Sequence, residues 1–219
     1  MSNEQVYQIN ERVGITSKNF LPNVFVWMFI ALSLSATFAY FFSVDQALLS
    51  FLVNFETGKM TTLGTITMFA PLAFVMLMSF GLNRLSYPVL AVLFAVYAAV
   101  TGVSLSFILL VYAASSVLTC FISAAVLFGV MAVAGYTTQQ DLTKFGSLLM
   151  MFLIGVVIAS LVNFFLKSSQ LDYIISFVGV AVFVGLTAYD VQKLKRIGEG
   201  IEYGDASANK MVIMGALTL

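Results

Sequence analysis

The chain has 219 residues, ten basic and ten acidic side chains, no histidine and one cysteine. Its hydrophobic fraction of 61% and charged fraction of 9% are too extreme for a soluble domain or a disordered chain of this length. The lack of histidine excludes imidazole metal sites and Ser-His triads, and the balanced charge argues against nucleic acid binding. The composition therefore indicates a polytopic α-helical integral membrane protein.

Long stretches without charged residues predict the membrane helices, since about 20 apolar residues cross a bilayer. In chain order the predicted spans are 20–42, 61–83, 86–111, 115–136, 145–166, 171–192 and 208–219. The uncharged part of the last span, 211–219, is roughly 14 Å of helix, about half a bilayer. The sequence thus predicts an all-α bundle of seven transmembrane helices, with the last helix truncated in this chain.

Residues 1–19 form a polar N-terminal segment that does not resemble a cleaved signal peptide. Residues 20–219 are predicted to form a single transmembrane helical domain. The apolar but short segment 46–55 is predicted to lie at the membrane interface.

Basic residues predict the orientation of the chain. Lys59 and Lys167 fall on one side of the predicted membrane, and eight basic residues fall on the other: Arg12, Lys18, Arg84, Lys144, Lys193, Lys195, Arg196 and Lys210. The positive-inside bias then places the N-terminus in the cytoplasm.

Two pairs of small residues have the four-residue spacing that lets membrane helices approach closely. They are Ala125 with Gly129, and Ala181 with Gly185. We therefore expect a compact bundle.

Asp190 is the strongest candidate for a functional residue. It follows a long apolar run near the end of the sixth span, where a charge is costly unless it is paired or hydrated. The alternative is an interfacial aspartate that is hydrated or paired with Lys193 or Lys195. Asp190 is also a candidate for contact with a metal ion, whose identity the sequence does not give.

Three further charged residues have both structural and functional interpretations. Arg84 follows the second span, where it either sets topology or acts as a counter-ion for a carboxylate. Asp141, in the connection before the fifth span, is more simply a helix cap, a role that Thr143 could also fill. Asp172 begins the sixth span, where a negative charge favours the helix N-terminus. It is five turns from Asp190, so the two are not a catalytic pair.

No hydrolase, kinase or dinucleotide-binding motif is present in the sequence. There is no glycine-rich phosphate loop and no nucleophile–base pair. We therefore expect a protein that is not an enzyme and that needs no cofactor.

The run GLTAYDVQKLK at residues 185–195 resembles the end of the sixth helix in the Bax inhibitor-1 family, also called the transmembrane Bax-inhibitor-motif family. The segments GYTT at 135–138, DL at 141–142 and FGS at 145–147 resemble the loop before its fifth helix. GALTL at 215–219 resembles the opening of its last helix. The resemblance covers most of the chain, fits seven spans and is nearest to the bacterial branch.

This resemblance implies a pH-sensitive calcium leak channel in the bacterial inner membrane. In the family, aspartates on the sixth and seventh helices form a hydrogen-bonded latch near the cytoplasmic side, and an arginine after the second helix helps to hold it. Asp190 matches the first aspartate and Arg84 matches the arginine, while the second aspartate would fall after Leu219. The second span has no acidic residue here, although some relatives carry one.

The resemblance also allows a different function. Some bacterial relatives resemble regulators of a membrane-anchored AAA protease, and residues 1–19 could be the segment that such a protease engages. The two hypotheses therefore differ in the expected partner, which is calcium or another cation in one and a protease in the other.

Overall fold

The computed structural model describes residues 3–82, 84–200 and 206–219. Met1 and Ser2, in the polar N-terminal segment, and Asn83, the last residue of the predicted second span, lie outside the described residues. The described part contains eight helices and one short hairpin. The predicted all-helical character is therefore confirmed, apart from the hairpin.

The helices and strands, in chain order, are α1 (Asn3–Val44), α2 (Gln46–Ser50), β1 (Val53–Asn54), β2 (Lys59–Met60), α3 (Thr62–Gly81), α4 (Tyr87–Val111), α5 (Ala114–Thr137), α6 (Thr143–Leu166), α7 (Ser169–Glu199) and α8 (Ala206–Thr218). The strands pair antiparallel, with Val53 opposite Met60.

Six described segments are long and apolar enough to cross a membrane: Asn19–Val44, Thr62–Gly81, Tyr87–Val111, Ala114–Thr137, Thr143–Leu166 and Ser169–Glu199. They coincide with the first six predicted spans. The seventh predicted span corresponds to α8, whose 13 residues extend about 20 Å. The count of seven spanning helices is therefore not confirmed.

The largest difference between a predicted and an observed span is at the end of α7, which continues to Glu199 instead of ending at 192. The helix α1 also begins before its predicted span, at Asn3 instead of 20. The prediction followed the end of the apolar run, which marks the membrane boundary rather than the end of the helix. The 31 residues of α7 extend about 46 Å, whereas a hydrocarbon core is about 30 Å thick. The last turns of α7 therefore extend beyond the hydrocarbon.

The segment predicted to be interfacial contains α2 and the start of the hairpin. The Asp45 carboxylate caps α2 by accepting the N–H groups of Ala47 and Leu48. The Thr61 hydroxyl donates to the carbonyl of Phe51, 2.6 Å away, and accepts the N–H of Gly64. These local hydrogen bonds connect the hairpin to the start of α3, while the interfacial location stays a prediction.

The chain divides into two compact units. The first contains Met1–Cys120 with Gly198–Thr218, and the second contains Phe121–Ile197 with Leu219. In the first unit α1 and α4 pack closely, because Gly102 lies directly against the backbone of Ser35. The Ser35 hydroxyl donates to the Ala98 carbonyl at 2.6 Å, which joins the two helices by a buried hydrogen bond.

The second unit contains most of α5, all of α6 and most of α7. Its helices meet where glycines on α5 and α6 face α7. Gly135 lies against the Ala188 backbone, and Gly146 lies against the Tyr189 ring. Both contacts are at the end of the unit that holds the α5–α6 loop, and they position the residues of the candidate site.

Candidate functional site at the end of α7

Gln192 joins α7 to the α5–α6 loop. Its side-chain oxygen accepts the Leu142 N–H at 2.9 Å, and its side-chain nitrogen donates to the Gln140 carbonyl at 2.7 Å. The residue is only 5% exposed. Because buried polar groups are costly when they lack hydrogen bonds, this double contact fixes the loop to one position along α7.

Asp141 makes a second connection between the loop and α7. Its Oδ1 accepts the N–H of Thr143 at 3.0 Å and the Thr143 hydroxyl at 2.6 Å. The same oxygen lies 2.8 Å from Nη1 of Arg196, and that nitrogen also donates to the Thr143 hydroxyl. Asp141 thus accepts an N–H from the first turn of α6, although Leu142 is the residue directly before the helix.

These contacts lower the pKa of Asp141 from 3.8 to about 2. The Thr143 hydroxyl contributes most, followed by the Thr143 N–H and then Arg196. Since the folded-state pKa is depressed, the stabilising effect is complete above about pH 3.8 and is lost as pH falls through about 2. Asp141 therefore keeps a fixed negative charge at neutral pH and is not a pH sensor there.

We expect the pKa of Asp141 to rise more in Thr143→Val than in Arg196→Gln. The valine substitution removes the hydroxyl hydrogen bond, which lowers this pKa more than Arg196 does. The carboxyl carbon chemical shift of Asp141, followed by NMR against pH, measures both. Thr137→Val is the matched control, because among the described residues the Thr137 hydroxyl bonds only within α5, to Val133 and Ala134. A larger rise in Arg196→Gln would contradict this assignment of causes.

Two lysines of α7 contact aromatic residues. The Lys195 ammonium donates to the Tyr136 carbonyl at 2.9 Å and lies 4.7 Å from the centre of the Tyr136 ring. The Lys193 ammonium lies 5.9 Å from the centre of the Tyr189 ring. Cation–π contacts of this kind hold a basic side chain without neutralising it.

Asp190 is partly buried on α7, two residues before Gln192. The ion-paired alternative, with Lys193 or Lys195, is not observed: within the part of the chain that is described, Asp190 has no salt bridge and no side-chain hydrogen bond. Asp190 therefore differs from Asp141, which is exposed and ion-paired. Among the described residues, no bonded cation balances the charge that Asp190 carries when it is ionised.

The other predicted site residues lie elsewhere. Asp172 is exposed in the first turn of α7, which agrees with its proposed effect on the helix N-terminus. Arg84 is an exposed residue of the first unit, in the turn between α3 and α4. Its assignment to a latch stays a prediction.

Sequence reasoning missed the roles of Gln192, Thr143 and Arg196. Gln192 was within the recognised run at 185–195, but nothing in the sequence indicated that its partners are about fifty residues earlier. Arg196 was assigned, with Lys193 and Lys195, to a basic cluster whose favoured role was to orient the helix rather than to bind a polyanion. The available signal was that these polar side chains follow an apolar span directly. That signal does not identify the residues that they contact.

Among the described residues, no group of three or more His, Cys, Asp or Glu side chains is arranged to hold a metal ion. The polar cluster at the end of α7 instead combines one partly buried acid, a buried amide and several basic side chains.

Comparison with known proteins agrees with the resemblance seen in the sequence. The family model described as "Inhibitor of apoptosis-promoting Bax1" matches residues 17–219. The inner membrane protein YbhL of Escherichia coli K12 is 43% identical over 212 residues, which cover 96% of this chain and 88% of YbhL.

Two further relatives are also similar to this chain. An uncharacterized protein of Borreliella burgdorferi is 40% identical over 95% of this chain and 88% of its own length. One from Rickettsia prowazekii is 44% identical over 75% of this chain and 68% of its own length. No solved structure matches the chain.

Proposed function

Because the chain belongs to the Bax inhibitor-1 family, we propose that it is a membrane leak pathway for cations, calcium foremost, whose opening depends on the protonation of Asp190. The observation that carries this proposal is the position of Asp190. The residue is partly buried in α7, nine residues before the helix ends and about 20 residues after it begins, which is the length that crosses a hydrocarbon core. It has no bonded cation among the described residues.

The physical basis is the cost of charge near hydrocarbon. A neutral carboxyl is tolerated at the edge of the bilayer, whereas a carboxylate requires water or a cation beside it. In the proposed mechanism the neutral form of Asp190 accompanies a closed state, and the charged form hydrates the path and attracts cations. Carboxylate oxygens are ligands that calcium accepts, so calcium would pass as cargo.

The surroundings of Asp190 support a local switch. Two residues away, Gln192 is held by backbone groups of the α5–α6 loop, and Asp141 keeps its charge down to about pH 2. Neither side chain changes its protonation near neutral pH, because an amide does not titrate and the pKa of Asp141 is about 2. The α5–α6 loop would therefore stay bonded to α7 over the pH range in which the charge of Asp190 changes.

Calcium flux from liposomes containing the protein, measured against pH, tests the proposal. We expect wild-type flux to rise with pH, and we expect Asp190→Asn to remain low throughout. At a pH where wild type conducts, the loss should be about tenfold or more, because removing a unit charge near a cation costs several kcal/mol at an effective dielectric constant of 20.

Asp172→Asn is the matched control, because it removes the same charge from the opposite end of α7. Its flux should keep the wild-type dependence on pH. A wild-type pH profile in Asp190→Asn would remove Asp190 from the gate. An absence of calcium flux at every pH would instead favour the protease-regulator hypothesis.

A further inference from the structure

A pocket of about 360 Å³ lies beside the end of α7 and the start of α6. It is lined by Thr143, Tyr189, Gln192, Lys193, Arg196 and Ile197. We infer that this pocket binds the headgroup of an anionic phospholipid. The inference does not depend on ion conduction by the chain.

The depth of the pocket in the membrane is the first argument. About 20 residues of helix cross the hydrocarbon core, so a span that begins at Ser169 leaves it near residue 190. The α7 residues that line the pocket, Tyr189 to Ile197, therefore lie at the level of the lipid headgroups. Tyrosine is enriched at this level because its ring is apolar and its hydroxyl is polar.

The charge of the pocket is the second argument. The α5–α6 loop, the first turn of α6 and residues 189–197 together carry four basic side chains, Lys144, Lys193, Lys195 and Arg196, against Asp141 and Asp190. A surplus of positive charge next to a span favours anionic lipid, and basic pockets between helices bind such headgroups.

The hydrogen-bonding capacity of Arg196 is the third argument. In the described part of the chain its bonds to Asp141 and Thr143 are made by Nη1 alone, so Nη2 and Nε can donate to another acceptor. A guanidinium presents its donors in a planar fork that matches phosphate oxygens. Lys193 contacts the Tyr189 ring and makes no salt bridge among the described residues, so it supplies a second cation.

The apolar part of the lining favours a lipid over a free anion. Tyr189 and Ile197 give the pocket apolar surface, and the stems of Lys193 and Arg196 add to it. Inorganic phosphate would gain nothing from that surface, whereas the glycerol and upper acyl chain of a phospholipid would cover it.

Native mass spectrometry of the full chain in detergent, titrated with phosphatidylglycerol and separately with phosphatidylcholine, tests the inference. We expect the anionic lipid to bind more tightly. Lys193→Gln should weaken its binding about fivefold, and Lys193→Gln with Arg196→Gln about 25-fold, since each basic residue near a membrane surface contributes about this factor.

The control is the double variant Lys59→Gln with Lys167→Gln, which removes two exposed charges at the other ends of spans and should bind the lipid as wild type does. Lys193→Gln keeps the Asp141–Arg196 contact, so it reports on the pocket even if the double variant at 193 and 196 is unstable. Equal binding of both lipids, or no loss in Lys193→Gln, would overturn the inference. Displacement of the lipid by equimolar inorganic phosphate would identify a free-phosphate site instead.

Discussion

Replacing Gln192 by methionine should destabilise the second unit by about 2 kcal/mol. The change keeps the length of an unbranched side chain but removes both hydrogen bonds to the α5–α6 loop. A buried backbone group left without a partner costs about 1–3 kcal/mol. We expect a total near the middle of that range, because Gln140 is exposed and water can replace its lost bond, whereas the N–H of Leu142 is partly buried.

Hydrogen exchange of the Leu142 amide gives the most direct measurement. A loss of about 2 kcal/mol in the opening free energy corresponds to roughly 30-fold faster exchange. Unfolding of the protein in mixed micelles by added denaturing detergent should show the same change in stability. Proteolysis in the loop at residues 138–142 should also accelerate, since the connection to α7 is lost.

Gln139→Met is the matched control, because Gln139 is exposed in the same loop and makes no side-chain hydrogen bond among the described residues. It should leave both stability and Leu142 exchange unchanged. If Gln192→Met exchanged no faster than this control, the Gln192 contacts would not be what holds the loop.

The membrane helices could be read from the sequence because charge is excluded from hydrocarbon. Gaps between charged residues located six spans to within a few residues, with the exception of the end of α7. The same signal says nothing about segments outside the membrane, so the hairpin at Val53–Asn54 and Lys59–Met60 was missed. Two local hydrogen bonds stabilise it: the Thr61 hydroxyl donates to the Phe51 carbonyl, and the Asn54 side-chain oxygen accepts the Glu56 N–H. No hydropathy pattern contains them.

The contacts between helices could not be predicted in the same way. Ala125 and Gly129 have the spacing that allows close approach, but both residues are exposed, and a Cβ on Gly129 would meet nothing within 4 Å. The spacing of small residues describes one face of a helix, not the presence of another helix beside it. Gly135, with no small residue four positions away, makes the close contact.

At the candidate site, too, the residue could be predicted from the sequence but its contacts could not. Asp190 could be selected from the sequence because an acid at the edge of an apolar run is unusual. Its expected cation could not be selected, because Lys193 and Lys195, three and five residues later, were both candidates. In the structure Lys195 instead binds the Tyr136 carbonyl, 59 residues earlier. Pairings across such separations depend on how α5 and α7 pack.

Gly135→Ala should be the most disruptive alanine substitution among the glycines of the second unit. A methyl group there would lie 2.8 Å from Cα of Ala188 and against its carbonyl oxygen. Both are backbone atoms of α7, so no side chain can rotate away and the helices must separate. Overpacking of this kind costs about 1–3 kcal/mol, which exceeds the gain of up to about 1 kcal/mol from replacing glycine in a helix.

Alanine substitutions at two other glycines of the second unit provide comparisons for Gly135→Ala. Gly146→Ala would meet the ring of Tyr189, a side chain that can turn, so its cost should be smaller. Gly129→Ala would meet nothing within 4 Å and should be neutral or slightly stabilising. Unfolding in mixed micelles should therefore rank the variants in stability as Gly129→Ala, then Gly146→Ala, then Gly135→Ala.

The consequence for the site follows from the position of Ala188, two residues before Asp190 on the same helix. Moving α7 away from α5 at Ala188 would also shift Asp190 and strain the bonds of Gln192 to the loop. Gly135→Ala should therefore accelerate exchange of the Leu142 amide, and under the proposed function it should also alter the pH profile of calcium flux. Equal stability of Gly135→Ala and Gly129→Ala would mean that α5 and α7 are not in backbone contact, and the arrangement proposed around Asp190 would be lost.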